Sequence, residues 1–147
     1  MKKKWQKLGQ FEISDLNSLK KFCIDFSTRL TNNSIVLLQG VLASGKSELV
    51  RQFVLLKQPN NQNASSPTFA LHHSYNCAEH WDLYRLKNDD ELESSGFWDM
   101  INISDRPIFI EWPERIQEEW LASGKLIYKF IFHISADKRY LEVFQAT

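Results

Sequence analysis

Residues 37–49, "LLQGVLASGKSEL", decide the fold. Within them Gly40-Val41-Leu42-Ala43-Ser44-Gly45-Lys46-Ser47 fits G-x-x-x-x-G-K-[ST], a spacing whose consecutive backbone N–H groups wrap phosphate oxygens. The preceding Ile35-Val36-Leu37-Leu38 is a short apolar run rich in strand formers, and residues 48–56 read as a helix. Strand, glycine loop and helix N-terminus together aim orphan N–H groups and the positive end of the helix dipole at one point, which suits a polyphosphate. Lys46 would reach the terminal phosphates and the Ser47 hydroxyl would ligate Mg²⁺, with Leu42, Ala43, Ser44, Gly45 and Glu48 completing the cradle. A chance match in a turn is the competing reading, and the flanking strand and helix weigh against it.

On the N-terminal side, residues 5–13 alternate loosely and predict an opening strand. Ser14 then serves as a helix N-cap with Asp15 in the first turn. Leu16, Leu19, Phe22, Cys23, Phe26 and Leu30 recur at three- and four-residue steps and predict one buried stripe, ended by residues 31–34. On the C-terminal side, residues 59–66 ("PNNQNASS") have the composition of a mobile loop and "PTFALHHSY" looks extended. "HWDLYRL" predicts a strand running into a turn, Asp89-Asp90-Glu91 an acidic helix start leading toward Phe97, and Ile108-Phe109-Ile110 a buried strand. A helix over 114–121 and a terminal hairpin from "LIYKFIFHI" and "RYLEVF" complete the reading.

A chain of 147 residues is sized for a single domain, so residues 1–147 are read as one unit. The 18 basic and 18 acidic residues balance, which argues against a broad footprint for DNA or tRNA acting through this chain alone. The "MKKK" start is followed by segments too polar for a signal peptide, and no run reaches membrane-spanning length, so a cytoplasmic protein without membrane contact is expected. Cys23 and Cys77 make no C-x-x-C pair and fit a reduced compartment.

Magnesium needs oxygen ligands beyond one hydroxyl, which directs attention to carboxylates at strand ends. Glu111 follows "IFI" at the C-terminal end of a strand, where open α/β sheets bind ligands, and Asp82 follows another predicted strand. The bland readings are a surface carboxylate beside a turn for Glu111 and a helix or turn cap for Asp82. Thr68 in "SSPTF" follows the loop and could contact Mg²⁺ or the terminal phosphate once triphosphate binds; an ordinary strand residue is its alternative.

"GVLASGKSELV", "SSPTFAL", "HWDLYRL" and "IFIEWPERI", in this order over about residues 35–116, resemble the TsaE family of bacterial P-loop ATPases of tRNA threonylcarbamoyladenosine biosynthesis. The resemblance implies a three-layer α/β fold of the P-loop NTPase type, with a central mixed sheet flanked by helices. It also implies ATP hydrolysis with Mg²⁺, action with TsaB and TsaD proteins, and tRNA reached only through that complex. Lys46 and Ser47 match the Walker A lysine and magnesium hydroxyl, and Ser66-Pro67-Thr68-Phe69 the switch-like segment. Asp82 matches the essential aspartate of H-x-D-L-Y-R, with His80, Tyr84 and Arg85 in place. Glu111 and Trp112 match the I-E-W motif, the glutamate serving magnesium and the tryptophan lining the functional surface. Lys46, Asp82 and Glu111 are therefore the implied catalytic set, and Thr68, Tyr84, Arg85 and Trp112 the implied switch or partner surface.

The chain departs from the family's usual G-D-L-G-A-G-K-T at Val41, Ala43 and Ser44, and Ala43 is costly if its position requires φ > 0. Glu48 adds a negative charge near the phosphates yet suits the helix dipole. Two other functions use the same loop: a small-molecule kinase, for which no arginine-rich lid segment is present, and a binding module in which ATP only fixes a conformation. Partner-dependent phosphate release separates them. The assigned roles predict weakened nucleotide binding in Lys46→Ala, and retained binding with lost turnover in Asp82→Ala.

Overall fold

A computed structural model describes residues 2–61, 71–121 and 124–147. In chain order the elements are β1 (Trp5–Glu12), α1 (Leu16–Ser27), β2 (Ser34–Gln39), α2 (Lys46–Lys57), β3 (His72–Ser74), β4 (Glu79–Asp82), α3 (Asp89–Ser94), α4 (Phe97–Ile103), β5 (Ile108–Glu111), β6 (Leu126–Ser135) and β7 (Lys138–Ala146). The strands form one mixed seven-stranded sheet in the order β1-β7-β6-β2-β5-β4-β3. Its centre is parallel, β6-β2-β5-β4, and its two margins are antiparallel.

β2 shows why the sheet lies between two helical layers. Val36 and Leu38 pack with α1 and α2 residues including Phe22, Phe26, Leu49 and Phe53, while Ile35 and Leu37 pack with Leu92, Phe97 and Ile101 of α3 and α4. An unbroken apolar run has no polar face to offer water, so it is stable only in the middle of three layers. Each of these fully buried aliphatic side chains contributes roughly 1.5–3 kcal/mol.

Several local expectations are corrected. The α1 N-cap is Asp15, not Ser14: its carboxylate accepts the Ser18 N–H at 2.8 Å while the Ser18 hydroxyl accepts the Asp15 N–H at 3.1 Å, a reciprocal box that Ser14, three residues before Asn17, has no partner to form. α1 stops at Ser27, short of residues 31–34, because the Ser27 and Thr28 hydroxyls donate to the Ile24 and Asp25 carbonyls and draw the last turn away from regular helix. Leu16, the first residue of α1, is exposed, and Leu30 packs from beyond the helix. The acidic segment is two helices: Gly96, at φ 83°, breaks α3 from α4. The helix expected over 114–121 is instead two 3₁₀ turns, Pro113–Arg115 and Glu118–Trp120. Trp112 in the left-handed region ahead of Pro113 turns the chain too sharply for an α-helix to start. Only His72–Ser74 of the "PTFALHHSY" stretch is strand among the described residues.

No helix among the described residues is long and apolar enough to cross a membrane. Cys23 and Cys77 are free thiols, and burial pushes Cys23 up to about 12, so it is unreactive packing material.

Candidate functional site

The parallel block ends β2, β4 and β5 at the same level. Register sets Asp82 beside Glu111, and Glu111 beside Leu38, one residue before the end of β2. Main-chain bonds continue past the strand ends, from Leu83 N to Glu111 O at 3.1 Å and from Trp112 N to Leu38 O at 3.3 Å. The glycine loop therefore opens onto two carboxylates because one sheet carries all three segments.

The loop conformation is set by residues 40, 43 and 45. Gly45 has φ 115°. A Cβ on Gly40 would meet Ser44 Oγ at 2.8 Å and Phe132 Cβ at 2.9 Å, closer than side chains pack. Ala43, the departure noted in the sequence, lies at φ 60° and so takes the left-handed backbone without a glycine's ease. Val41 and Leu42 point outward, 62% and 57% exposed, leaving the backbone of the loop to line its interior.

The Lys46 ammonium is held by its own loop. It donates to the Gly40 carbonyl and, at 3.3 Å, to that of Val41, and it lies 4.0 Å from the centroid of the Trp112 ring. Burial lowers its pKa, opposed by the charges of Glu111, Glu114 and Asp82. Trp112 is itself at φ 61° and is buttressed by the Tyr84 ring, centroids 4.9 Å apart, while the Arg115 guanidinium donates to the Tyr84 carbonyl at 3.1 Å.

Ser47, Glu111 and His80 form one hydrogen-bonded set. The Ser47 hydroxyl donates to Glu111 Oε2 at 2.8 Å, and His80 Nε2 lies 2.6 Å from the same oxygen. Glu111 is 3% exposed, so it is not a surface carboxylate beside a turn. A serine that spends its single hydrogen on Glu111 keeps its oxygen lone pairs for a cation.

Asp82 is half-buried next to this set. Burial first and Glu111 second raise its pKa, opposed by the Tyr84 N–H, His80 and Lys46. Its Oδ1 accepts that N–H at 3.0 Å, so the turn-cap reading of Asp82 is realised, with the other oxygen not used by that bond. Glu48 accepts from Arg51 at 3.2 Å and Gln52 at 2.8 Å, which turns its charge along α2. Arg85 follows Tyr84 beyond the end of β4. Thr68 lies outside the described residues, as does the rest of "SSPTF".

The donor set facing the loop is hard oxygen: one hydroxyl and two carboxylates. Among the described residues no group of three His, Cys, Asp or Glu could hold a metal by itself. Magnesium fits such a sparse set, since it keeps several waters and takes phosphate oxygens beside one or two protein ligands. Residue reasoning on its own missed His80, although strand alternation puts residues 80 and 82 on one face of β4. The Lys46–Trp112 contact carried no signal in the sequence, because it depends on the left-handed turn at Trp112.

Comparison with known proteins gives the family and the fold. Residues 13–140 match the family described as threonylcarbamoyl adenosine biosynthesis protein TsaE. The tRNA threonylcarbamoyladenosine biosynthesis protein TsaE of Haemophilus influenzae is 39% identical over 112 residues, covering 72% of this chain and 69% of that protein. Its counterpart in Rickettsia bellii is 35% identical over 124 residues, covering 82% and 83%. The crystal structure of Bacillus subtilis YdiB superposes with a TM-score of 0.66 at 16% identity, covering 100% of this chain and 89% of that one, which shows a shared fold. By the span of the profile match and the identity to these relatives, the chain belongs to the TsaE family.

Proposed function

We propose that this chain binds and hydrolyses ATP with Mg²⁺ in tRNA threonylcarbamoyladenosine biosynthesis, acting with TsaB and TsaD proteins and reaching tRNA only through them. The observation that carries the reading is the meeting of the glycine loop and Ser47, at the N-terminus of α2, with Glu111 and Asp82 at the ends of adjacent strands. Residues 1–147 act as one ATPase domain in this account.

The loop amides from Leu42 to Glu48 receive the phosphates. Lys46 leaves the Gly40 and Val41 carbonyls for the terminal phosphates, and the Trp112 ring face that now carries its charge is released at the same time. Ser47 and Glu111 would hold magnesium, which when bound would supply positive charge against the phosphates. Asp82, with one carboxylate oxygen tied by the Tyr84 N–H, orients the attacking water with the other. Tyr84, Arg85 and Trp112 serve as the switch or partner surface, and Thr68, outside the described residues, is assigned to the same role by the family motif alone. Hydrolysis by the chain alone is slow in this reading and rises when TsaB and TsaD are bound.

Phosphate release from Mg·ATP, measured for the chain alone and with a TsaB–TsaD complex, tests this reading, with Lys46→Ala as the control for contaminating ATPase. Release that rises with the partners and disappears in the variant is expected. Nucleotide binding without release in either condition would instead make the chain a nucleotide-dependent binding module.

A further inference from the structure

His80 is the least explained polar side chain at the site. It is 1% exposed, lies on β4 two residues before Asp82, and reaches over to the neighbouring strand, where Nε2 is 2.6 Å from Glu111 Oε2. That oxygen already accepts the Ser47 hydroxyl. His80 Nδ1 is buried with no hydrogen-bond partner. A bare ring acceptor is easier to bury than a bare N–H, so the tautomer that fits carries its proton on Nε2 and donates it to Glu111.

Two donors on one oxygen have a geometric consequence. With only the Ser47 hydrogen bond, the Glu111 carboxylate could rotate about its last torsion, which is broad and soft. With His80 gripping the same Oε2 from the adjacent strand, the plane of the carboxylate is fixed and Oε1 is left as the oxygen free for a cation or its water. The grip comes from a regular strand on the sheet, so it does not depend on how the glycine loop is arranged.

We infer that His80 is a positioning residue of the magnesium centre, holding Glu111 Oε2 so that Oε1 and the Ser47 oxygen face the metal. This rests on the reading of Ser47 and Glu111 as the magnesium side of the site. Groups that orient metal ligands in this way typically change metal affinity by about 10–100-fold when removed.

The test is a magnesium titration of binding of a non-hydrolysable ATP analogue to the wild type, His80→Asn and His80→Gln, with thermal melts to confirm folding. A glutamine amide can place an N–H where Nε2–H lies, whereas asparagine reaches only the Nδ1 position. The magnesium midpoint of His80→Asn should rise about 10–100-fold while affinity without magnesium is unchanged, and His80→Gln should recover most of the difference. An unchanged midpoint in His80→Asn, or equal impairment of both variants, would overturn the role. A wild type indifferent to magnesium would sink the magnesium reading and this proposal together, which is distinct from a magnesium effect that survives in His80→Asn. A measurement on the wild type covers variants that fail to fold: the His80 Nε2–H should give a solvent-protected downfield NMR signal that persists when magnesium and nucleotide are added. Its loss on their addition would equally overturn the proposal.

Discussion

The two sides of the phosphate site are built from different material. The glycine loop offers backbone, with Val41 and Leu42 turned out to solvent and φ values at Ala43 and Gly45 that shape the cradle. The strand ends offer side chains, Glu111 and His80, which are almost wholly buried and joined with Ser47 of α2 through one carboxylate oxygen. A site made of N–H groups accepts residues that can take up the dihedral angles with side chains turned out or small, which accounts for Val41 and Ala43 standing in an otherwise recognisable loop. A site made of partnered side chains has no such latitude, because removing one partner leaves another buried and unsatisfied.

The comparison breaks most sharply at Lys46, where the loop side depends on a side chain after all. Lys46→Ala should reduce phosphate release about a thousandfold, the scale seen on removing one preorganised charge-stabilising donor. Its nucleotide affinity should fall about 10–100-fold, as expected for one charge-assisted hydrogen bond. Affinity equal to the wild type, measured by calorimetry, would mean that the backbone alone binds the nucleotide.

A smaller effect is expected on the strand-end side. Burial and Glu111 raise the folded-state pKa of Asp82, so the fold favours its protonated form. The stability this gives is fully present below the ordinary carboxylate pKa and is lost as pH rises through the raised folded value. Asp82→Asn keeps the acceptor for the Tyr84 N–H without the charge. Its denaturation midpoint should therefore exceed that of the wild type at neutral pH, and the gap should close as pH falls through the carboxylate range. A variant less stable at neutral pH would show that the Asp82 charge is compensated.

The smallest effect lies in the loop backbone. The left-handed conformation costs alanine roughly 1–2 kcal/mol, while glycine's greater freedom when unfolded offsets about 0.5–1 kcal/mol. Ala43→Gly should thus stabilise the protein by ~0.5 kcal/mol, read from the denaturant midpoint. No gain would mean that the loop carries Ala43 without strain, sharpening the view of the loop as tolerant material.

The same division governs what could be read in the sequence. β2, the loop and α2 were legible because spacing and hydrophobic pattern are local properties, and Glu111 was legible because "IFI" marks a strand end. The 3₁₀ turns in place of a helix at 114–121 were not, since hydrophobic spacing carries no information about the left-handed backbone at Trp112. Nor was the early end of α1, where two hydroxyls draw on carbonyls of the last turn. His80 needed the pairing of β4 with β5, a contact between residues 31 positions apart.

In the proposed mechanism the loop binds the nucleotide while the strand ends act on it. Asp82→Ala tests that division most directly when ATP affinity and phosphate release are measured on the same preparation. Affinity close to the wild type with release reduced about 10²–10³-fold is expected. Release at the wild-type rate would remove Asp82 from the mechanism, and loss of binding and release together would contradict the division itself.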